Sequence, residues 1–283
     1  MKEDRNRASG WKHAKLSGHK NENMVKELLD KDSNYANNFL CRIGNKGRTI
    51  IETSIGGIHE KNVSSVINGK KTKSKTDLKI FLNNKKIVNV SIKKSLCGQV
   101  YFVRAGLFIE TFEKQFCQKI PETVKRAINL FWAEAEDATE IIKEFANKSD
   151  KKNYNLQLRH KSLNATTLKE YNKELYDSLL AWFRDNTCKI AKLCFAMGAV
   201  LDENEWSEYI WYINLLGEND IDNIFSIDDI CTKISNVSKE GTYYSSKNGG
   251  TTIQLPFGFV QWHQKKLQFH HNYYKLIEIL KQK

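Results

Sequence analysis

Apolar side chains recur every three or four residues in some stretches of this sequence and every second residue in others, and the two periods predict helices and strands. Met24, Val25, Leu28 and Leu29 make one helical face, behind Ser17 or Asn21 as a cap. Short strands with glycine-rich turns are expected over 38–69, at FLCRIG, RTIIETSI and VSSVING. The clearest alternation follows. Leu78, Ile80 and Leu82 alternate with Lys79, Phe81 and Asn83, residues 83–86 supply a turn, and Ile87, Val88, Val90 and Ile92 form a β-branched run. That is the pattern of a hairpin. QVYFVRAG predicts another strand of the same central sheet, and LFIETFEKQFCQK a helix.

Downstream the helical period dominates. Pro121 is placed as a first-turn proline, and Ile128, Phe131, Ala138, Ile142 and Phe145 carry one helix to Asn147. Its outer face, with Glu134, Glu136, Asp137 and Glu140, is unsuited to a polyanion. A polar connection over 148–165 leads to a helical region from Thr166 to about Met197. The aromatic stretch EWSEYIWYINLL predicts a core helix, and SIDDICTKIS a short helix capped by Ser226. After the turn Lys247-Asn248-Gly249-Gly250 come two or three short strands and a small helix. The organisation expected is an N-terminal arm and catalytic core over 1–119, a helical region over 120–235, and a β-rich segment over 236–283.

Composition sets outer limits. With 283 residues, 40% of them hydrophobic, the chain can bury a large core. A formal charge of +12 favours a polyanionic partner, because neutralised phosphates release counterions. The cysteines, at 41, 97, 117, 188, 194 and 231, have no C-x-x-C or metal-finger spacing and suit reduced thiols in an intracellular, cytoplasmic protein. The amino terminus has no apolar signal core, and no membrane association is expected.

Charge also singles out one residue. Between Glu60 and Glu110 the only acidic side chain is Asp77, in a field of lysines. If the predicted hairpin forms, Asp77 before its first strand and Ser91-Ile92-Lys93 at the end of its second meet at the open end. A carboxylate and a nearby backbone carbonyl can hold Mg²⁺, a hard cation that takes oxygen ligands. An ammonium beside them can orient water or neutralise a phosphate, which suits phosphodiester hydrolysis.

Thr-Asp followed, about a dozen residues on, by x-x-Lys at the end of an apolar strand resembles the PD-(D/E)xK nuclease superfamily. More narrowly, Lys75-Thr76-Asp77 and Cys97-Gly98-Gln99 are similar to segments of type II restriction endonucleases that cut short palindromes such as CCGG and GCGC. Ser91 stands where the superfamily usually has Asp or Glu, and where such restriction enzymes sometimes carry Asn or Gln. The resemblance implies an α/β nuclease core, a central mixed sheet flanked by helices, with a helical insertion and a C-terminal β-rich DNA-recognition region. It implies Mg²⁺-dependent cleavage of double-stranded DNA at a short palindromic site, leaving 5′-phosphate and 3′-hydroxyl ends. Asp77 and the Ile92 carbonyl would hold the metal, Lys93 would act on the water, and Ser91 and Glu22 are lesser catalytic candidates. A companion DNA methyltransferase is expected as a neighbouring gene, and monomer and homodimer both stay open. The alternatives are a structure-specific repair or junction nuclease and a catalytically silent DNA-binding protein, the latter favoured by Ser91.

Other residues carry two readings each. Glu22 is a third active-site acid, as Gly18-x-Lys20-Asn21-Glu22 resembles a segment of the GCGC cutters, or a carboxylate complementing a helix dipole. Lys70, Lys71 and Lys73 steer DNA or form a solvated charge run; Lys94, Ser95 and Gln99 touch DNA or serve the turn around Gly98. Glu52 and His59 are within reach of a metal or are ordinary strand and loop residues. In the C-terminal strands, Gln254, Gln261, His263, Gln264, Lys265, Lys266 and Gln268 carry the donors and acceptors that read base edges in a major groove. They equally suit the polar face of an edge hairpin. Phe257-Gly258-x-Val260, a basic turn and Leu267-Gln268-Phe269 are similar to the recognition region of the same restriction enzymes.

Overall fold

The computed structural model describes residues 7–56, 67, 74–132, 135–217, 220–245 and 250–281, with side chains of the first helix described from Leu16 on. The chain runs α1 (Arg7–Lys31), α2 (Ser33–Arg42), β1 (Ile50–Ile55), β2 (Leu78–Leu82), β3 (Ile87–Lys93), β4 (Cys97–Val103), α3 (Ala105–Phe116), α4 (Glu122–Phe131), α5 (Ala138–Phe145) and α6 (Lys151–His160). It continues through α7 (Ala165–Tyr171), α8 (Lys173–Asp185), α9 (Thr187–Lys192), β5 (Tyr209–Ile213), β6 (Asp222–Ser226), α10 (Ile227–Gly241), β7 (Tyr243–Tyr244), β8 (Thr252–Leu255), β9 (Gly258–His263), β10 (Lys266–Asn272) and α11 (Tyr273–Lys281). Two compact units result, one from 1–96 with 195–227 and the other from 97–194 with 228–283. Residues 195–227, within the stretch that contains the expected helical region, supply β5 and β6 to the first unit.

The first unit is built on a mixed sheet in the order β1-β2-β3-β5-β6, antiparallel except for the parallel pair β3 and β5. Leu78, Ile80, Leu82, Val88, Val90 and Ile92 pack with Trp211 and Ile213 against Val25 and Leu29 of α1 and Phe39 and Leu40 of α2. Each such side chain contributes about 1.5–3 kcal/mol when fully buried. A one-residue slip of β2 or β3 would turn the whole set to the opposite face, so the register is firmly held.

The second unit carries an antiparallel sheet in the order β4-β10-β9-β8-β7. Its helices are α3 to α9, nearly all of α10, and α11. Phe108 and Phe112 of α3 meet Trp182 of α8 at ring distances of 6.2 and 4.8 Å, and Phe108 also meets Phe269 of β10 at 5.5 Å.

Several elements differ from the sequence expectation. FLCRIG begins in α2, whose cap is Asp32, accepting from the N–H groups of Asn34 and Tyr35. EWSEYIWYINLL contains the strand β5, in which Ile210, Trp211, Tyr212 and Ile213 are all buried. A continuous apolar run of that length has no period to separate a two-faced strand from a buried helix. QVYFVRAG lies in β4, which pairs with β10 in the second sheet and not with the β2–β3 hairpin. The helix expected from Pro121 to Asn147 is split into α4 and α5, and 151–160 is helical, capped by Asp150. Asn172 caps α8 and so ends the helical stretch before it, dividing the region expected to run from Thr166. VSSVING, apart from Ile67, lies outside the described residues. The short C-terminal strands and the small helix after them are found as β8 to β10 and α11.

Candidate active site

Asp77 stands one residue before β2, and its backbone continues the ladder. Its N–H donates to the Val90 carbonyl at 2.9 Å, and its carbonyl accepts from the Gly56 N–H at 3.1 Å. Since Leu78 pairs with Val90, Asp77 falls opposite Ser91, and strand alternation puts Lys93 on the same face. Two neighbours hold this backbone. Thr76 is fully buried, its hydroxyl donating to the Glu205 carbonyl at 3.0 Å and pairing with the Ser207 hydroxyl at 3.2 Å. At residue 56 a Cβ would lie 2.5 Å from the Thr76 carbonyl oxygen, a distance only glycine avoids.

Three donors converge on Asp77 Oδ2: the Ile92 N–H at 2.7 Å, the Ser91 hydroxyl at 3.1 Å and Lys93 Nζ at 3.4 Å. Lys93 Nζ also donates to Ser91 Oγ at 2.6 Å and to the Ile92 carbonyl at 3.1 Å. Asp77, Ser91, Ile92 and Lys93 therefore form one hydrogen-bonded group at the open end of the hairpin.

Glu22 comes to it from α1. The preceding Asn21 is buried, donates through Nδ2 to the Ile213 carbonyl at 3.0 Å and accepts from the Leu215 N–H at 2.8 Å, which ties the helix to the end of β5. Burial, and then the negative charge of Asp77, hold the Glu22 carboxyl above its ordinary value, against a hydrogen bond from His19 and the attraction of Lys93. His19 Nδ1 lies 3.1 Å from Glu22 Oε2. Two carboxylates in each other's field form a place where a cation relieves repulsion. Their donors, with the Ile92 carbonyl, are all hard oxygens of the kind Mg²⁺ takes. Among the described residues no three His, Cys, Asp or Glu side chains form a metal-ligand cluster, so a cation here would need a backbone oxygen such as the Ile92 carbonyl.

Lys94 is half-buried and Ser95 exposed, directly after Lys93. Glu52 pairs with Phe81, at the turn end of the hairpin and not at its Asp77 end. Lys70, Lys71, Lys73 and His59 lie outside the described residues.

In the second unit, one face of the sheet gathers most of the polar candidates. Gln261 Nε2 donates to Gln268 Oε1 at 3.0 Å, and Gln268 Nε2 to Gln99 Oε1 at 2.7 Å, a chain of amides across β9, β10 and β4. Beside it Lys266 Nζ sits 4.6 Å over the Phe102 ring, with His263 5.7 Å from that ring. Phe259 and His270 stack at 4.5 Å. Gln254 is engaged differently, accepting from Lys275 Nζ at 3.1 Å. Gln264 and Lys265 form the β9–β10 turn, both with positive φ, 50° and 58°.

No protein-family model matches this chain, and no curated protein sequence does. Among solved structures it is similar to the restriction endonuclease MspI in complex with its cognate DNA, at 13% identity over 88% of this chain and 83% of that one, with a TM-score of 0.39. The site geometry stands without that likeness.

His19, Gly56 and the aromatic members of the second sheet's face are additions to the residues singled out from the sequence. His19 was legible in its i,i+3 spacing from Glu22. Phe259 and His270 follow from strand alternation with Gln261 and Gln268. Gly56 carries no such signal, because its role lies in a close approach between segments distant in sequence. No described helix is long and apolar enough to cross a membrane.

Proposed function

We propose that this chain is a Mg²⁺-dependent endonuclease that hydrolyses double-stranded DNA at a short site, in the manner of a type II restriction enzyme. The observation that carries it is the convergence of Asp77, Ser91, the Ile92 carbonyl and Lys93 at one end of the β2–β3 hairpin. The Asp77 and Glu22 carboxylates and the Ile92 carbonyl would hold Mg²⁺. That ion supplies Lewis acidity, acidifying water and offsetting phosphate charge.

The chain's own residues supply the remainder. Lys93, now bonded to Ser91, Asp77 and the Ile92 carbonyl, would turn its ammonium to the attacked phosphate and orient water in line with the 3′ leaving oxygen. Ser91 holds that ammonium on the reacting side. Glu22, its pKa raised by burial and then by the Asp77 charge, would as a carboxylate be the more basic for it and the better acceptor of a proton from the water. On the second sheet, Gln99, Gln261, Gln268, His263 and Lys266 form the face proposed to meet base edges.

The test is incubation of the purified protein with unmethylated phage DNA in Mg²⁺ and in EDTA, beside Asp77→Ala and Lys93→Ala. Discrete fragments that need Mg²⁺ and vanish in both variants are expected. Intact DNA from a folded protein that binds DNA overturns the reading.

A further inference from the structure

Away from the candidate active site, the second unit holds two cysteines against each other. Cys188 lies in the first turn of α9 and Cys231 in the first half of α10. The Cys231 thiol donates to the Cys188 carbonyl oxygen at 3.5 Å. Cys231 is buried, whereas Cys188 is partly open to solvent. The Ser235 hydroxyl, one turn along α10, donates to the Cys231 carbonyl oxygen at 3.1 Å, and Lys192, one turn along α9, adds positive charge near Cys188. Lys192 in turn pairs with Asp228 at 3.4 Å, and Asp228 is the acid facing the two thiols.

We propose that Cys188 and Cys231 form a peroxide-sensitive dithiol that closes to a disulfide joining α9 to α10. The accessible member, Cys188, is the one that reacts. The neighbouring Cys231 thiol and the positive charge of Lys192 lower its pKa from the ordinary thiol value, against burial. The thiolate is the nucleophilic form. Its sulfur attacks one oxygen of hydrogen peroxide, the O–O bond breaks, and a sulfenic acid and hydroxide are left. The Cys231 sulfur then attacks the sulfenic sulfur. The S–O bond breaks, and the hydroxide leaves as water with the Cys231 proton. Two thiols are oxidised by two electrons in all, and one peroxide is reduced to two waters.

The loop so closed joins positions 43 apart and contains residues 195–227, the segment that supplies β5 and β6 to the first sheet. Crosslinks of that span restrict the unfolded chain strongly. The inference does not depend on the nuclease reading.

The experiment is graded hydrogen peroxide on the whole protein, followed by peptide mapping without reductant. A Cys188–Cys231 linked peptide, reversed by dithiothreitol, is expected at peroxide levels that leave the exposed Cys41, Cys97 and Cys117 reduced. The oxidised protein should melt on the order of 5 °C higher. Cys231→Ser should leave Cys188 as a sulfenic acid that dimedone captures, and Cys188→Ser should leave Cys231 unoxidised. The proposal is overturned if Cys188 and Cys231 stay free thiols, or if the three exposed cysteines oxidise first with no linked peptide.

Discussion

Ser91 Oγ lies 2.6 Å from Lys93 Nζ, closer than any other oxygen bonded to that ammonium in the site. Ser91 brings no carboxylate to a metal. What it does is join the two residues on either side of it, donating its proton to Asp77 Oδ2 and accepting one from Lys93. Ser91→Ala removes that link while the strand, buried on both faces, keeps its packing. A hydrogen bond to a charged group contributes about 1.5–3 kcal/mol, so cleavage should slow roughly 10- to 100-fold. Single-turnover rates should show the loss at the chemical step, with DNA affinity close to wild type.

Asp77 has two duties that different substitutions separate. Its Oδ2 accepts from the Ile92 N–H and the Ser91 hydroxyl, both belonging to a buried strand segment. Asp77→Ala leaves those donors unmatched and should cost about 1–3 kcal/mol of stability as well as activity. Asp77→Asn keeps an acceptor oxygen but loses the charge. It should melt near wild type and still be inactive in Mg²⁺. Equal thermal losses in both variants, read by calorimetry, would count against this division of roles.

The hairpin with Asp77 and Lys93 at its open end was legible because strict alternation over Leu78–Leu82 and a β-branched partner leave one sensible register. β5 was not legible. Its residues Ile210 to Ile213 are all buried, and only the β3 edge beside it decides that the segment extends. β4 was recognised as a strand but placed in the wrong sheet, since alternation identifies a strand and says nothing about its partner. The polar face of β9 and β10 was readable from its glutamines, whereas Phe102 joins it only through a strand far earlier in the chain.

Glu22 makes stability and the proposed activity pull in opposite directions. Folding raises its pKa above 4.5, through burial and the nearby Asp77 charge. Its contribution is therefore complete below pH 4.5 and is lost as pH rises through the raised value, where the chain must bury a charge. Glu22→Gln never ionises. At pH 7–8 it should melt higher than wild type, and the gap should close as pH falls to about 4.5. Mg²⁺ should narrow the same gap by stabilising wild type more than the variant. Melting curves across pH, with and without Mg²⁺, read both effects. A Glu22→Gln protein that melts lower at pH 8 would show that the carboxylate is a structural asset and not a strained one.

Gly56 tests whether the backbone around Asp77 must be held as closely as the contacts imply. A methyl group at residue 56 would meet the Thr76 carbonyl oxygen at 2.5 Å, and that carbonyl belongs to the residue just before Asp77. Backbone cannot swing aside as a side-chain tip does. Gly56→Ala must push β1 and the start of β2 apart, straining the Gly56 N–H to Asp77 carbonyl bond of 3.1 Å. Overpacking of this kind costs about 1–3 kcal/mol. The larger effect should fall on catalysis, because the carboxylate, its three donors and the Ile92 carbonyl share one geometry, and small misplacements of reacting groups cost roughly 100-fold. The variant should therefore remain folded at 25 °C, bind DNA, and cleave at least an order of magnitude more slowly than its lost stability explains. A Gly56→Ala protein with wild-type cleavage would show that the Asp77 backbone tolerates displacement, and the site would have to be rebuilt with a looser metal geometry.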